Sequence, residues 1–165
     1  MELFILRHGE AGKRSSTSRE DSKRSLTESG KKEIEEISKG LNSLEIQLDY
    51  IFTSPLLRSK QTAQIVLKNL KCKNQIQELD ELKPEGNKLQ LYNKLSTLKQ
   101  DSSVLLVGHE PYLSEMIGEA VSNGSSRINL KKAGLVRIKT TSFLPKIQGE
   151  LRWLLVPKHM KKMTR

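Results

Sequence analysis

The stretch Ser103-Val104-Leu105-Leu106-Val107-Gly108-His109-Glu110-Pro111 decides how the chain is read. Ser103 to Val107 is a largely apolar run, as expected of a strand covered on both faces. Gly108-His109-Glu110-Pro111 ends it, and a helix with Met116, Ile117 and Ala120 on one face follows. Two earlier segments have the same form. Glu2 to Leu6 reads as a short buried strand ending at Arg7-His8-Gly9, and Asp49 to Phe52 as another ending at Thr53-Ser54-Pro55.

The segments between them have helical spacing. Thr27 can cap a helix that carries Ile34, Ile37, Leu41 and Leu44 on one face. Leu57 to Leu70 places Ala63, Val66, Leu67 and Leu70 inward, and Asn87 to Leu98 does the same with Leu91, Leu95 and Leu98. Leu135 to Ile138 and Leu151 to Leu155 read as two further strands. Gly9 to Leu26 is polar with few apolar anchors, which predicts a mobile loop. Strands alternating with helices predict an α/β fold, a three-layer α/β/α sandwich with a mostly parallel central sheet. No repeat and no long linker divides the chain. Residues 1–157 are expected to form a single domain, followed by a basic C-terminal tail over 158–165 in which His159 has no role.

The bulk properties bound the function. A chain of 165 residues buries roughly 70% of its unfolded surface, so it needs no staples. Cys72 is the only cysteine, which excludes an internal disulfide and a zinc site built on several cysteines. That suits a reducing compartment. Met1 to Leu6 is apolar, but Arg7 and His8 end the run too early for a signal peptide. No run approaches the ~20 apolar residues of a membrane span. A soluble, cytoplasmic protein that contacts no membrane is therefore expected, acting as a monomer. The net charge of +10 is spread along the chain and is denser at Lys158, Lys161, Lys162 and Arg165. Aromatic residues make up only 4%, which leaves few stacking platforms for nucleic acid, so none is expected as a partner. Either the charge solvates the surface or it serves acidic or phosphorylated ligands.

Position within this layout carries the chemistry. Arg7-His8-Gly9, Ser54-Pro55 with Arg58 beyond, and Gly108-His109 each follow a strand. Parallel sheets bind ligands beyond the carboxyl ends of their strands, so parallel strands would bring the three clusters to one edge. Guanidinium cannot ligate a metal. Planar donors do suit phosphoryl oxygens. An imidazole among them could take the phosphoryl group covalently, splitting one displacement into two. The guanidiniums would then spread the charge of the transition state.

The opening Arg7-His8-Gly9-Glu10 resembles the first motif of the histidine phosphatase superfamily, also called phosphoglycerate mutase-like. Thr53-Ser54-Pro55-Leu56-Leu57-Arg58-Ser59-Lys60-Gln61-Thr62-Ala63 resembles its second motif, and Val107-Gly108-His109-Glu110-Pro111 its third. The short length, Arg24-Ser25-Leu26-Thr27-Glu28-Ser29-Gly30 and Leu82-Lys83-Pro84 are most similar to phosphohistidine phosphatases of the SixA type. Ser25 stands where those proteins usually have proline.

The resemblance implies that His8 accepts the phosphoryl group and that Arg7 and Arg58 bind its oxygens. His109 would be a further donor, and Arg24 a basic residue at the pocket mouth. It implies no metal and no diffusible cofactor. Ser54 either bonds phosphate or caps the following helix, and Glu10 either orients the loop or serves the surface. Cys72, between Lys71 and Lys73, is either a somewhat acidified thiol or incidental. Larger members use an acidic proton donor on a helical insertion. Here only Glu78, Asp80, Glu81 and Glu85 lie in the corresponding region. Three functions remain open: a phosphatase for phosphohistidine in a protein, a phosphatase for small phosphate esters, and a silent module that binds phospho-ligands or nucleic acid.

Overall fold

The computed structural model describes residues 1–70 and 75–163. In chain order the elements are β1 (Glu2–Arg7), α1 (Ser18–Ser22), α2 (Glu28–Ser43), β2 (Tyr50–Thr53), α3 (Leu57–Leu70) and β3 (Ile76–Glu78). A 3-10 turn (Asp80–Leu82), α4 (Lys88–Ser96), β4 (Ser103–Gly108), α5 (Tyr112–Ser122), β5 (Leu135–Ser142), β6 (Gln148–Leu155) and α6 (Pro157–Met163) complete it. The strands form one six-stranded sheet in the order β3-β2-β4-β1-β5-β6. β1, β2, β3 and β4 run parallel, while β5 and β6 add an antiparallel hairpin beside β1.

Strand side chains alternate between the two faces of this sheet. Leu3 and Ile5 of β1 join Val104 and Leu106 of β4 in a core with α4 and α5. Phe4 and Leu6 join Leu105 and Val107 in a second core with α2, α3 and α6. The apolar runs thus feed two cores, and the chain is the α/β sandwich its sequence predicts, with a mostly parallel sheet.

Several local expectations change. The polar stretch after Gly9 is organised rather than a bare loop. Ala11 bridges Leu26, and Thr17 caps α1 by accepting from Glu20 N. Its anchors are polar, so a search for apolar periodicity misses them. Leu44 lies just past the last residue of α2 and is exposed, because the chain turns into a left-handed residue at Glu45. Both strands of the β5–β6 hairpin are longer than their apolar runs, since pairing carries polar residues such as Lys139 and Thr140. The short β3 and the 3-10 turn lack a periodic signal. The segment read as a basic tail contains α6, begun by Pro157, which presets the helical φ. Its Met160 is buried against Gly40 of α2. Cys72 and Arg165 lie outside the described residues.

Two glycines let the end of β1 meet α2. A Cβ at Gly30 would sit 2.2 Å from the Glu10 carbonyl oxygen, and one at Gly9 would sit 2.8 Å from that of Gly30. Backbone thus packs on backbone directly behind His8. At Gly12, by contrast, a Cβ would meet only Arg24 Cγ at 3.9 Å. Gly30→Ala is expected to cost about 1–3 kcal/mol, the usual range for crowding a packed site. Gly12→Ala should stay within about 0.5 kcal/mol. Urea unfolding of both variants checks this, and equal losses would show that crowding at Glu10 is not the cause.

Candidate active site

The register of three parallel strands brings the predicted clusters together. Arg7 pairs with Gly108 across β1 and β4, and Thr53 pairs with Val107 across β2 and β4. The residues that follow, His8, Ser54 and His109, therefore leave the sheet side by side. A cleft of about 780 Å³ opens at this edge, lined among others by Arg7, His8, Arg24, Arg58 and His109.

His8 is held by its backbone first. Its N–H donates to Gly108 O (3.1 Å) and its carbonyl accepts from Ala133 N (3.2 Å). Gly9 N donates to Thr62 Oγ1 of α3 (3.2 Å). The ring Nδ1 lies 2.7 Å from the Gly9 carbonyl oxygen. A carbonyl can only accept, so Nδ1 carries the proton and Nε2 keeps a lone pair. Burial pushes the imidazole pKa down, the Gly9 bond opposes this, and the charges of Arg58, Arg7 and Arg24 lower it further, to about 4. The ring is thus neutral at physiological pH.

His109 faces it, with ring centroids 5.0 Å apart and planes at 56°. Its Nε2 lies 2.9 Å from Ser54 Oγ and 3.2 Å from Ser59 Oγ. Burial lowers its pKa most, followed by His8 and the guanidiniums of Arg58, Arg24 and Arg7. Ser54 is fully buried and is not among the residues lining the cleft. Its hydroxyl touches His109, and its contact to the following helical segment is a long one from Leu56 N (3.4 Å).

The guanidiniums are tethered at one end. Arg7 Nη1 donates to Leu130 O (2.8 Å). Arg58, 4% exposed, donates from Nη1 to the backbone oxygen of Asp21 (2.8 Å) and lies 3.3 Å from its carboxylate. Arg24 Nη1 donates to Gly12 O (3.1 Å), and its Nε lies 3.1 Å from Asp21 Oδ1. Among the described residues of this site, Arg7 Nε, Arg24 Nε, Arg58 Nε, Asp21 Oδ1 and His109 Nδ1 are buried without a hydrogen-bond partner, so the Arg24–Asp21 contact is an ion pair only. Such an edge can present donors to a tetrahedral anion and a neutral nitrogen lone pair to its central atom. No group of three or more His, Cys, Asp or Glu that could hold a metal ion occurs among the described residues. None of their helices is long and apolar enough to cross a membrane.

Sequence reasoning missed Asp21, Ser59 and the lining cations Arg14, Lys83 and Lys132. Only the spacing of Asp21 three residues before Arg24 hinted at one of them. Of the four acids considered, Glu78 pairs with Lys60 (3.2 Å), Asp80 with Lys83 (2.8 Å) and Glu81 with Lys94 (2.7 Å). Glu85 alone of these lines the cleft. Glu10 bonds Thr27 and pairs with Lys132 at 3.1 Å, away from the lining.

Residues 3–85 match the family model described as histidine phosphatase superfamily (branch 1). The chain is 35% identical over 147 residues to an uncharacterised protein of Picosynechococcus sp. (strain PCC 7002), covering 85% of this chain and 86% of the relative. It is 30% identical over 121 residues to the phosphohistidine phosphatase SixA of Escherichia coli (strain K12), covering 72% and 73% of the two chains. The solved structure of the protein histidine phosphatase SixA complexed with tungstate superposes with a TM-score of 0.85 at 25% identity, over 97% of this chain and 99% of that one.

The lowered imidazole pKa has a thermodynamic consequence. Between roughly pH 6.5, the ordinary imidazole value, and about 4 for folded His8, the unfolded chain binds the extra proton. Stability is therefore present above about pH 6.5 and declines as pH falls through this window. In ring-nitrogen NMR spectra His8 is expected to keep its neutral pattern, with Nδ1 protonated, at pH 5.5. A His8 midpoint near 6.5 would contradict the buried, guanidinium-flanked setting.

Proposed function

Because the chain belongs to the histidine phosphatase superfamily, we propose that it is a phosphatase working through a phosphohistidine at His8, with phosphohistidine in a protein as its substrate. The superfamily match and the relatives support phosphatase activity itself. The observation that carries the covalent route is the 2.7 Å contact of His8 Nδ1 with the Gly9 carbonyl, which leaves Nε2 free to attack.

In the first step Nε2 forms a bond to phosphorus while the bond to the leaving group breaks. In the second, water attacks the phosphorylated His8, inorganic phosphate departs, and Nε2 regains its lone pair. Arg7 and Arg58 hold the equatorial oxygens through charge-assisted bonds. His109 Nδ1, without a protein partner, is the atom available to donate to the same group, and Arg24 lines the mouth. The relative solved with tungstate, a tetrahedral oxyanion, supports an anion site of this kind.

The substrate reading rests on the leaving group and on the similarity to a phosphohistidine phosphatase. An alkoxide leaves slowly without a proton donor, and such help is worth roughly 10²–10⁴-fold. Imidazole has a pKa of about 6.5, so solvent can protonate it before it leaves. Of the four acids considered as proton donors, three are held in ion pairs with lysines and are not among the residues lining the cleft. Of the other acids that line it, Asp21 pairs with Arg24 and Arg58 and Glu110 accepts from Ser114, which favours a substrate needing no dedicated acid.

His8→Ala is expected to fold and to lose turnover, and the parent should trap acid-labile, base-stable phosphate on brief exposure to substrate. Normal activity in His8→Ala would rule out the covalent route. Arg58→Ala should lower kcat/KM at least roughly tenfold, from the loss of charge-assisted bonds of about 1.5–3 kcal/mol each, and Arg58→Lys should not restore it fully because the planar fork is lost. The enzyme should prefer phosphohistidine and phosphoramidate over aryl phosphates, and aryl over alkyl phosphates. Glu85→Gln should change phosphohistidine turnover by less than about 10²-fold, the lower end of general-acid help. Rapid alkyl phosphate turnover that Glu85→Gln abolishes would make the protein a small-ester phosphatase instead.

A further inference from the structure

One acid sits inside the ring of guanidiniums. Asp21 belongs to α1, a helix of five residues none of which is buried. Its carboxylate lies 3.1 Å from Arg24 Nε through Oδ1 and 3.3 Å from Arg58 Nη1 through Oδ2, while its backbone oxygen accepts from the same Arg58 Nη1 at 2.8 Å. All three side chains are largely shielded, with 18% exposure for Asp21, 19% for Arg24 and 5% for Arg58, and all three line the cleft. A carboxylate at an anion site opposes ground-state binding of a phosphoryl group. Its presence there needs a compensating role.

The geometry supplies one. Arg58 occupies the second position of α3, where a cation opposes the helix dipole. It also has Arg24 and Arg14 as like-charged neighbours. Asp21 offsets both effects: its backbone oxygen accepts from Nη1 and its carboxylate pairs by charge with the same atom, which restrains the guanidinium that carries the partnerless Nε. Without the carboxylate, the backbone hydrogen bonds of Arg58 to Asp21 O and of Arg24 to Gly12 O would remain, but both guanidiniums would lose the ion pair that holds them beside each other. Donors aimed beforehand at where charge develops accelerate the transfer, whereas free donors only bind.

We infer that Asp21 is a positioning residue for phosphoryl transfer: it clamps Arg58 and Arg24 in the orientation the transition state needs, at some cost in affinity for the phosphoryl group at rest. This rests on the His8 phosphoryl-transfer reading above, though not on phosphohistidine as the substrate.

The test pairs Asp21→Asn with Asp21→Glu and reads two quantities on the full chain. One is kcat on an aryl phosphate; the other is the dissociation constant of inorganic phosphate by calorimetry. Asp21→Asn should lower kcat at least about threefold while phosphate binds as tightly as in the parent or more tightly. Asp21→Glu, which keeps the charge on a longer arm, should recover part of kcat. A smaller loss of kcat in Asp21→Asn would overturn the inference, because the clamp would then be dispensable. Weaker phosphate binding alongside the lost kcat would overturn it too, since that is the signature of a merely structural ion pair. Circular dichroism and a thermal melt establish that each variant folds. If Asp21→Asn does not fold, Asp21→Glu decides: full parental kcat with unchanged phosphate affinity, or a loss of both, would equally reject the clamp. A parent that turns over no phosphate compound and takes up no label at His8 would instead reject the phosphatase reading, so the two failures are distinct.

Discussion

Parallel pairing of β1 and β2 with β4, in the register that sets Arg7 opposite Gly108 and Thr53 opposite Val107, is the constraint on which the site depends. It brings three short strands to an end at one level. The chain must then leave the sheet side by side at His8, Ser54 and His109, with Ser54 Oγ 2.9 Å from His109 Nε2 and the two imidazoles 5.0 Å apart. His8 N bonds Gly108 O and Ser54 N bonds Val107 O, so the ladder continues one residue into the site. A slip of one residue would turn the apolar side chains to the wrong faces. Two cores, one on each side of the sheet, hold the register against that slip.

The second determinant is electrostatic. Two imidazoles and several guanidiniums share a small, shielded volume. The guanidiniums remain charged at any ordinary pH. Burial is the main reason both imidazoles stay neutral, and the guanidinium charges add to it. Cations that bind an anion thus also keep the neighbouring ring in the form that can attack. The Gly9 carbonyl then selects which nitrogen of His8 carries the lone pair. The hydroxyls of Ser54 and Ser59 hold Nε2 of His109 and leave its Nδ1 without a protein partner.

Packing behind the site keeps these parts in place. Gly9 and Gly30 let the backbone after β1 lie directly on the first turn of α2. Thr62 of α3 bonds Gly9 N, and Gln61 Oε1 accepts from Leu26 N at 2.7 Å. The helix that carries Arg58 therefore also braces both ends of the segment that carries Asp21 and Arg24. Arg7 is held separately, its guanidinium tied to Leu130.

The amino-acid sequence by itself determined the α/β class, the order of most elements and the candidates His8, Arg7, Arg58 and His109. Apolar runs such as Val104 to Val107 and helical spacings such as Ile34, Ile37 and Leu41 are local patterns, and local patterns are what burial imposes on a sequence. Gly9 and the strand-end histidines were legible for the same reason, because each stands where one apolar run stops. Only the tertiary structure decided that Asp21 sits between Arg24 and Arg58, that Ser54 serves His109, and that Met160 holds α6 on α2. These are contacts between polar or isolated residues far apart in the chain, and no periodicity announces them. The proton position on His8 likewise depends on one carbonyl's direction, and the neutrality of both imidazoles on burial and on charges brought in by the three segments that carry Arg7, Arg24 and Arg58. Such properties belong to distances between segments, and distances exist only once the chain has folded.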